Sequence, residues 1–317
     1  MKNILLATTI LASVATVASA ETGVSISGYG RFGLVYDGSA DDVVTTNSTT
    51  TIHTRLRFNI DATTETDSGV TFGGRIRMQH SSGSDGADLS AAMLFATYEG
   101  LRVEVGNANT AYDSVALMYD PEMGFVDSSF GDPQGNFFAF NSGPNPTADY
   151  MGVFASYSMG GFTGRISAID PDQTTSVGAE TEVSVSFDYT SGPFTVALAA
   201  VQDGEGIADN DQFFVGAAYA INDAATVGLN YVDEGEVPVV MAHGGDQGRT
   251  ITLYGNYTMG ATTLRAYVAD NDYAGNVEDT SFGIGADYDL GGARLSGSIQ
   301  RGYEDETVAD LGVRFDF

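Results

Sequence analysis

The sequence has no cysteine, no tryptophan, a single lysine and only 7 prolines in 317 residues. Without cysteine there is no disulfide, no thiolate nucleophile and no cysteine-ligated zinc or iron–sulfur centre. Basic side chains are scarce too, 13 against 42 acidic ones, for a formal charge of −29. Binding a phosphate backbone requires lysine and arginine to displace its counterions, so no nucleic-acid partner is expected. After residue 20 no stretch offers the ~20 continuous apolar residues of a transmembrane helix. If this chain enters a membrane, it does so as strands. What is present is 40 Gly, 16 Tyr, 18 Phe and a 43% hydrophobic fraction, enough apolar surface to fold despite the charge.

Residues 1–20 differ in kind from the rest. Lys2 is followed by an apolar centre through Ile10, Leu11 and Val14, and the segment ends in Ala18-Ser19-Ala20. This is the pattern of a cleaved secretory signal, so residues 21–317 are expected as the mature unit, exported and built as one domain. Removing the segment takes away the only lysine and leaves 12 arginines against 42 acids, a formal charge of −30.

The mature sequence alternates. Val183, Val185, Phe187 and Tyr189 share one parity and Ser184, Ser186 and Asp188 the other. Leu56, Phe58 and Ile60 stand in the same way against Arg55, Arg57 and Asn59, and Leu311, Val313, Phe315 and Phe317 against Gly312, Arg314 and Asp316. A period of two marks strands with one apolar and one polar face. Only around 113–119 is helical spacing suggested. Sixteen runs have strand character: 23–36, 53–63, 69–80, 91–99, 101–106, 148–158, 162–170, 180–191, 193–203, 211–221, 225–233, 249–259, 261–270, 280–290, 292–301 and 307–317. Their connections alternate long and short, the short ones carrying the Gly and Asn of tight turns. An up-and-down antiparallel sheet follows, loop-rich at one end and turn-rich at the other.

A soluble sandwich hides its apolar faces between two sheets, whereas a membrane barrel turns them to lipid and lines its interior with polar groups. Alternation alone does not separate the two. The export signal, the even strand number and the strict succession of long and short connections favour an all-β, 16-stranded antiparallel transmembrane β-barrel. The terminal Phe317, closing an alternating strand, is a feature shared with bacterial outer-membrane barrels.

Longer stretches carry a family likeness: residues 25–37 (SISGYGRFGLVYD), 55–60 and 62–79, 112–132 (YDSVALMYDPEMGFVDSSFGD), 260–270 and 306–317 (ETVADLGVRFDF). Across the whole mature chain the sequence resembles the general diffusion porins of purple non-sulfur bacteria and other alpha-proteobacteria. The resemblance implies a homotrimer in the bacterial cell outer membrane, in contact with lipid and lipopolysaccharide. It also implies an inward-folded third loop that narrows a water-filled channel for small hydrophilic solutes and ions.

That loop is expected at about 107–147. It carries Val115, Leu117, Met118, Phe125, Phe130, Phe137, Phe138 and Phe140. Exposing such side chains forfeits roughly 1.5–3 kcal/mol each, so the loop packs against something: a lid over the barrel, or the inner wall. From Val103 to Gly164 there is no Lys, Arg or His, while Asp113, Asp120, Glu122, Asp127 and Asp132 fall within the loop. Arg31, Arg55, Arg57, Arg75 and Arg77 share the polar parity of the first three strands, and Arg294 and Arg314 that of the last two. Barrel closure would bring all seven to one arc of wall. An acidic ledge against a basic wall sets a field across a narrow aperture, and the resemblance assigns that role to these residues. The acidic excess around the mouth predicts a weak cation preference.

Other motifs carry less. Gly28-Tyr29-Gly30-Arg31-Phe32-Gly33 is a literal G-x-G-x-x-G, but it continues as a strand instead of opening a helix on a phosphate. His53, His80 and His243 lack metal or triad spacing and read as solvated or loop residues. Asn47-Ser48-Thr49 matches a glycosylation acceptor, which means little in a bacterial export context. Asp270-Asn271-Asp272-Tyr273-Ala274-Gly275 begins like a calcium loop but has Ala at the third ligand position. No cofactor is required, although the resemblance allows Ca2+ between acidic loops. A solute-selective channel would need a ladder of lumen aromatics, which cannot be placed here. An outer-membrane hydrolase would need a nucleophile with a positioned base, and an adhesin barrel an interior filled by side chains. No enzyme is expected.

Overall fold

The computed structural model describes residues 23–41, 48–147, 149–174, 178–238 and 244–317. The signal segment 1–20 and His243 lie outside the described residues. Sixteen strands make the wall. They are β1 Gly23–Asp37, β2 Thr50–Glu65, β3 Thr71–Ser81, β4 Met93–Tyr98, β5 Leu101–Gly106, β6 Met151–Met159, β7 Phe162–Asp170 and β8 Glu182–Ser191. The second half is β9 Phe194–Gln202, β10 Gln212–Asn222, β11 Ala225–Asp233, β12 Arg249–Met259, β13 Thr262–Asn271, β14 Thr280–Asp289, β15 Arg294–Arg301 and β16 Thr307–Asp316. A two-residue piece, Asp88–Leu89, pairs with β3 ahead of β4, and Glu236–Val237 pairs with Gly245–Asp246 in the loop after β11.

Every strand pairs antiparallel with its sequence neighbour, and β16 pairs with β1, Arg314 opposite Arg31 and Leu311 opposite Leu34. Closure leaves no edge with unpaired backbone groups, the one way a sheet can stand in hydrocarbon. Six of the seven short connections carry at least one residue at positive φ; the turn at Asp223-Ala224 does not. At Glu99-Gly100 both residues have positive φ, 43° and 85°, which the twist of a two-residue hairpin demands.

The polarity of the wall is inverted relative to a soluble protein. On β8 Val183, Phe187 and Tyr189 are exposed while Ser184 and Ser186 are buried, and on β16 Leu311 is exposed while Asp310 is buried. Exposed aromatics gather beside the short turns: Phe72, Tyr98, Tyr157, Phe162, Tyr189, Phe194, Tyr219, Tyr257, Tyr288 and Phe317. Amphipathic rings at that level are the girdle of a membrane-spanning barrel. No helix among the described residues is long and apolar enough to span a bilayer.

The strand boundaries expected from sequence hold within a few residues; β2 starts earlier, at Thr50, and β6 later, at Met151. The helical spacing near 113–119 does not become a helix. The segment is a chain of turns, broken by Leu117 at φ 70°. The apolar spacing there instead matches alternate contacts with the wall, because Val115 and Met118 are buried against β9, β10 and β11.

Candidate functional site

The long connection between β5 and β6 lies inside the barrel, not over it. It runs out along the inner wall and returns beside itself. On the outward limb the Ala111 and Tyr112 amides donate to Ser167 Oγ on β7 (2.8 Å) and Ser184 Oγ on β8 (3.1 Å). Asn230 on β11 then donates to the Leu117 carbonyl (2.7 Å), and Tyr254 on β12 reaches Asp120 (3.4 Å). The turn-back sits at 123–128, closed by a bridge between Met123 and Ser128. Its Phe125 amide donates to Asp310 on β16 (2.8 Å), and Arg31 on β1 donates to the Val126 carbonyl.

The return limb retraces the path. Thr252 on β12 donates to the Gly131 carbonyl (2.8 Å), and Glu234, just past β11, accepts the Gln134 and Gly135 amides (2.8 and 2.9 Å). Glu182 on β8 accepts the Phe138 amide (2.6 Å), and Asn107 donates to the Asn141 carbonyl (2.7 Å). Buried backbone donors must find acceptors, and here the wall supplies them strand by strand.

Apolar packing fixes the limbs as well. Tyr112, Val115 and Met118 form one buried cluster with Ala197, Ala199, Val201, Phe214 and Val232, all inward residues of β9, β10 and β11. Burying each large side chain is worth roughly 1.5–3 kcal/mol. Glycine makes room at the tip: a Cβ on Gly312 would come within 2.7 Å of the Phe125 ring, and one on Gly285 within 3.0 Å of Met123. These receiving residues were missed in the sequence reading. Two departures from alternation mark them, the unbroken run Val196–Val201 and the pair Phe213-Phe214, each with apolar groups on both faces.

The seven arginines of the wall do converge. Cross-strand register sets Arg55, Arg31, Arg314 and Arg294 in one row over β2, β1, β16 and β15, with Tyr29 opposite Arg57 and Asn59 opposite Arg77 just below. Arg31 is buried, 5% exposed, beneath the loop tip. Arg294 and Arg314 share the Asp127 carboxylate, and Arg75 pairs with Asp61 across strands (2.7 Å). Arg55 donates to Ser81 Oγ (3.1 Å), Arg57 to Gln79 (2.7 Å), and Arg77 to Asn59 (3.0 Å) and Ser142 (2.8 Å).

The five loop acids separate into three environments. Asp127 touches the wall, where it bridges two arginines, and so does not face them across a gap. Asp120 is exposed and Glu122 half-buried. Burial pushes Glu122 up to about 7, against the pull of Arg314, Arg31, Arg294 and Arg265. Asp113 is held by the Tyr119 hydroxyl (2.7 Å), and Asp132 is buried within the return limb, 9% exposed, where desolvation and then Glu122 and Glu234 raise its pKa.

His53 corrects the reading of it as solvated or in a loop. It is an inward residue of β2, half-buried, with its ring edge-on to Phe125 at 5.8 Å. His80 is not in a loop either; it is an exposed, outward residue of β3, next to the last residue of that strand. Among the described residues no three or more His, Asp or Glu side chains are grouped to hold a metal ion. The run 270–275 does not fit a calcium loop, because Asn271 Oδ1 is engaged by the Tyr273 amide (2.9 Å) and the Asn276 carboxamide (2.8 Å).

The profile described as Gram-negative porin matches residues 7–307. The porin of Fuscovulum blasticum is 49% identical over 301 residues, covering 93% of this chain and 100% of that one. The porin of Rhodobacter capsulatus is 31% identical over 320 residues, with the same coverage of 93% and 100%. A solved mutant of Rh. blastica porin superposes with a TM-score of 0.85 at 47% identity, over 93% of this chain and 100% of the mutant.

Proposed function

The chain belongs to the Gram-negative porin family and is an outer-membrane channel, and from that premise we propose that it passes small hydrophilic solutes and ions by passive diffusion, with a weak preference for cations. The observation that carries the reading is the loop 107–147 folded against the inner wall, which narrows the lumen and leaves Arg55, Arg57 and Arg77 half-exposed beside it. Between the arc and the loop carboxylates, polar solutes align in the transverse field, while apolar ones must surrender ordered water to enter. Contacts of this kind are weak enough to release what they admit.

The acidic excess of the outer loops supports the cation preference, since a negative mouth raises the local cation concentration. On this reading the first twenty residues are removed on export, the barrel assembles as a homotrimer among lipid and lipopolysaccharide, and it performs no enzymatic step. Calcium bridging between acidic loops is proposed without an assigned site. Purified protein in a planar bilayer should give stepwise conductance and, across a tenfold KCl gradient, a zero-current potential of cation sign. Absence of steps would overturn the channel reading, and a potential of anion sign would overturn the preference. Light scattering in mild detergent should give a trimer mass, and a monomer would overturn that assembly.

A further inference from the structure

Eight of the 12 arginines have a carboxylate partner within the barrel and its loops: Arg75, Arg102, Arg165, Arg249, Arg265, Arg294, Arg301 and Arg314. Arg31 is held differently, by the carbonyls of Phe125 and Val126. Arg55, Arg57 and Arg77 have no carboxylate at ion-pair distance among the described residues. All three are half-exposed inward residues of neighbouring strands. Like charges this close repel unless something opposes them, and here the fold brings no carboxylate into contact; Asp113 acts on Arg77 only through space.

Neutral groups hold them instead. Each commits its Nε to an uncharged acceptor, Ser81, Gln79 or Asn59. The stems are steadied further by aromatic rings, Arg57 over Tyr29 at 5.1 Å and Arg77 over Phe140 at 4.3 Å. Two terminal amino groups then meet on one oxygen, because Arg77 Nη1 (2.8 Å) and Arg57 Nη2 (3.4 Å) both donate to Ser142 Oγ of the return limb. Arg55 Nη1 reaches the Tyr29 hydroxyl at 3.4 Å. A guanidinium has five donors, and these bonds use two on each. The hydroxyl of Ser142 occupies, with a partial charge, the place where an oxyanion would bring a full one. Charge-assisted bonds from arginine are shorter than neutral ones and roughly twice as strong.

We propose that Arg55, Arg57 and Arg77, with the hydroxyl of Ser142, form a transit subsite for small solutes bearing an oxyanion group, a carboxylate or a phosphate. The subsite rests on the loop-narrowed channel proposed above and names a solute class for it. Its role follows from the charge of the rest of the molecule. An acidic mouth lowers the local concentration of anions, and a basic station inside the aperture restores a path for them. Half-exposed side chains bind loosely, so the solute moves on.

The test is KCl conductance of the purified channel at constant ionic strength, titrated with potassium succinate, with potassium glycerol 3-phosphate, or with uncharged succinamide. Both anions should block reversibly at lower concentration than succinamide; block by one alone narrows the subsite to carboxylate or to phosphate. Arg57→Gln with Arg77→Gln should raise the half-blocking concentration by about tenfold or more, as expected when charge-assisted bonds are lost. Ser142→Asp, which puts a tethered carboxylate where the solute group would sit, should do the same without removing an arginine. Arg165→Gln, far from the arc on β7, should leave succinate block unchanged. Equal block by succinate and succinamide, or unaltered succinate block in Ser142→Asp, overturns the subsite. Absence of KCl conductance would overturn the channel itself, whereas intact conductance without anion block removes only the subsite.

Discussion

Two arcs of one inner wall obey the same alternation and put it to opposite uses. Over β7 to β12 many inward residues are small and uncharged, among them Ser167, Ser184, Ala197, Ala199, Asn230 and Thr252, buried where the loop lies on them. Over β15, β16, β1, β2 and β3 the inward face carries seven arginines, most of them half-exposed. The first arc holds the length of the loop, while the second meets only its tip and the end of its return limb and charges the lumen. A small hydroxyl lets the limb backbone lie close along the wall, whereas a long arginine reaches out to its partner, as Arg31 does to the Val126 carbonyl and Arg77 to Ser142.

The largest change should come from removing what the first arc holds. Deleting residues 115–125 takes out Val115, Met118, Met123 and Phe125 together with their wall contacts, and should raise single-channel conductance and sugar permeation well above the wild-type level. Unchanged values would mean that the loop lies off the conduction path and that the two arcs do not differ in function.

Charge reversal across the aperture comes next. Neutralising Asp120, Glu122 and Asp127 to Asn or Gln should move the zero-current potential toward anions, because the arginine arc is then unopposed. Replacing Arg55, Arg57 and Arg75 with Gln should move it toward cations. The ion pair sharpens this: Arg75 is already answered by Asp61, so Arg77→Gln should shift the potential more than Arg75→Gln. Both triple variants shifting in the same direction would show that these groups are structural pairs outside the path.

A smaller effect is expected from pH. Burial pushes Glu122 up to about 7, so the loop loses negative charge as pH falls through that value while the arginines keep theirs. Cation preference should therefore decline between about pH 8 and about pH 6, and Glu122→Gln should flatten the profile. Zero-current potentials measured over that window decide it. Salt acts in the same range: the mouth contribution should fade as the Debye length shrinks from ~30 Å at 0.01 M to ~3 Å at 1 M.

The smallest effects belong to single anchors of the first arc. Glu234→Ala leaves the Gln134 and Gly135 amides without their acceptor, at about 1–3 kcal/mol for each donor left buried and unpaired. Thr252→Val removes one bond to Gly131 and should cost about 0.5–1.5 kcal/mol. Thermal midpoints of the detergent-solubilised protein should fall in that order, and the opposite order would show that the return limb is not held at Glu234.

The sixteen strands, their antiparallel order and the succession of long and short connections were legible from residue type alone. A period of two is local, and Glu99-Gly100 or Gly291-Gly292 mark turns within two residues. The parity of the arginines was legible for the same reason, and barrel closure then joins Arg314 to Arg31 as a consequence of strand number. That the loop needed a partner could be read from its eight large apolar side chains. Where it would find one could not, because Ser167, Ser184, Asn230 and Thr252 are ordinary inward residues until a backbone amide or carbonyl arrives beside them. The same holds for the acids. Sequence made Asp113, Asp120, Glu122, Asp127 and Asp132 five equal charges, and tertiary packing left Asp120 open, buried Asp132 and bound Asp127 to two arginines. Alternation fixes which face a side chain is on, but its charge state and partners depend on what is brought against that face from distant parts of the chain.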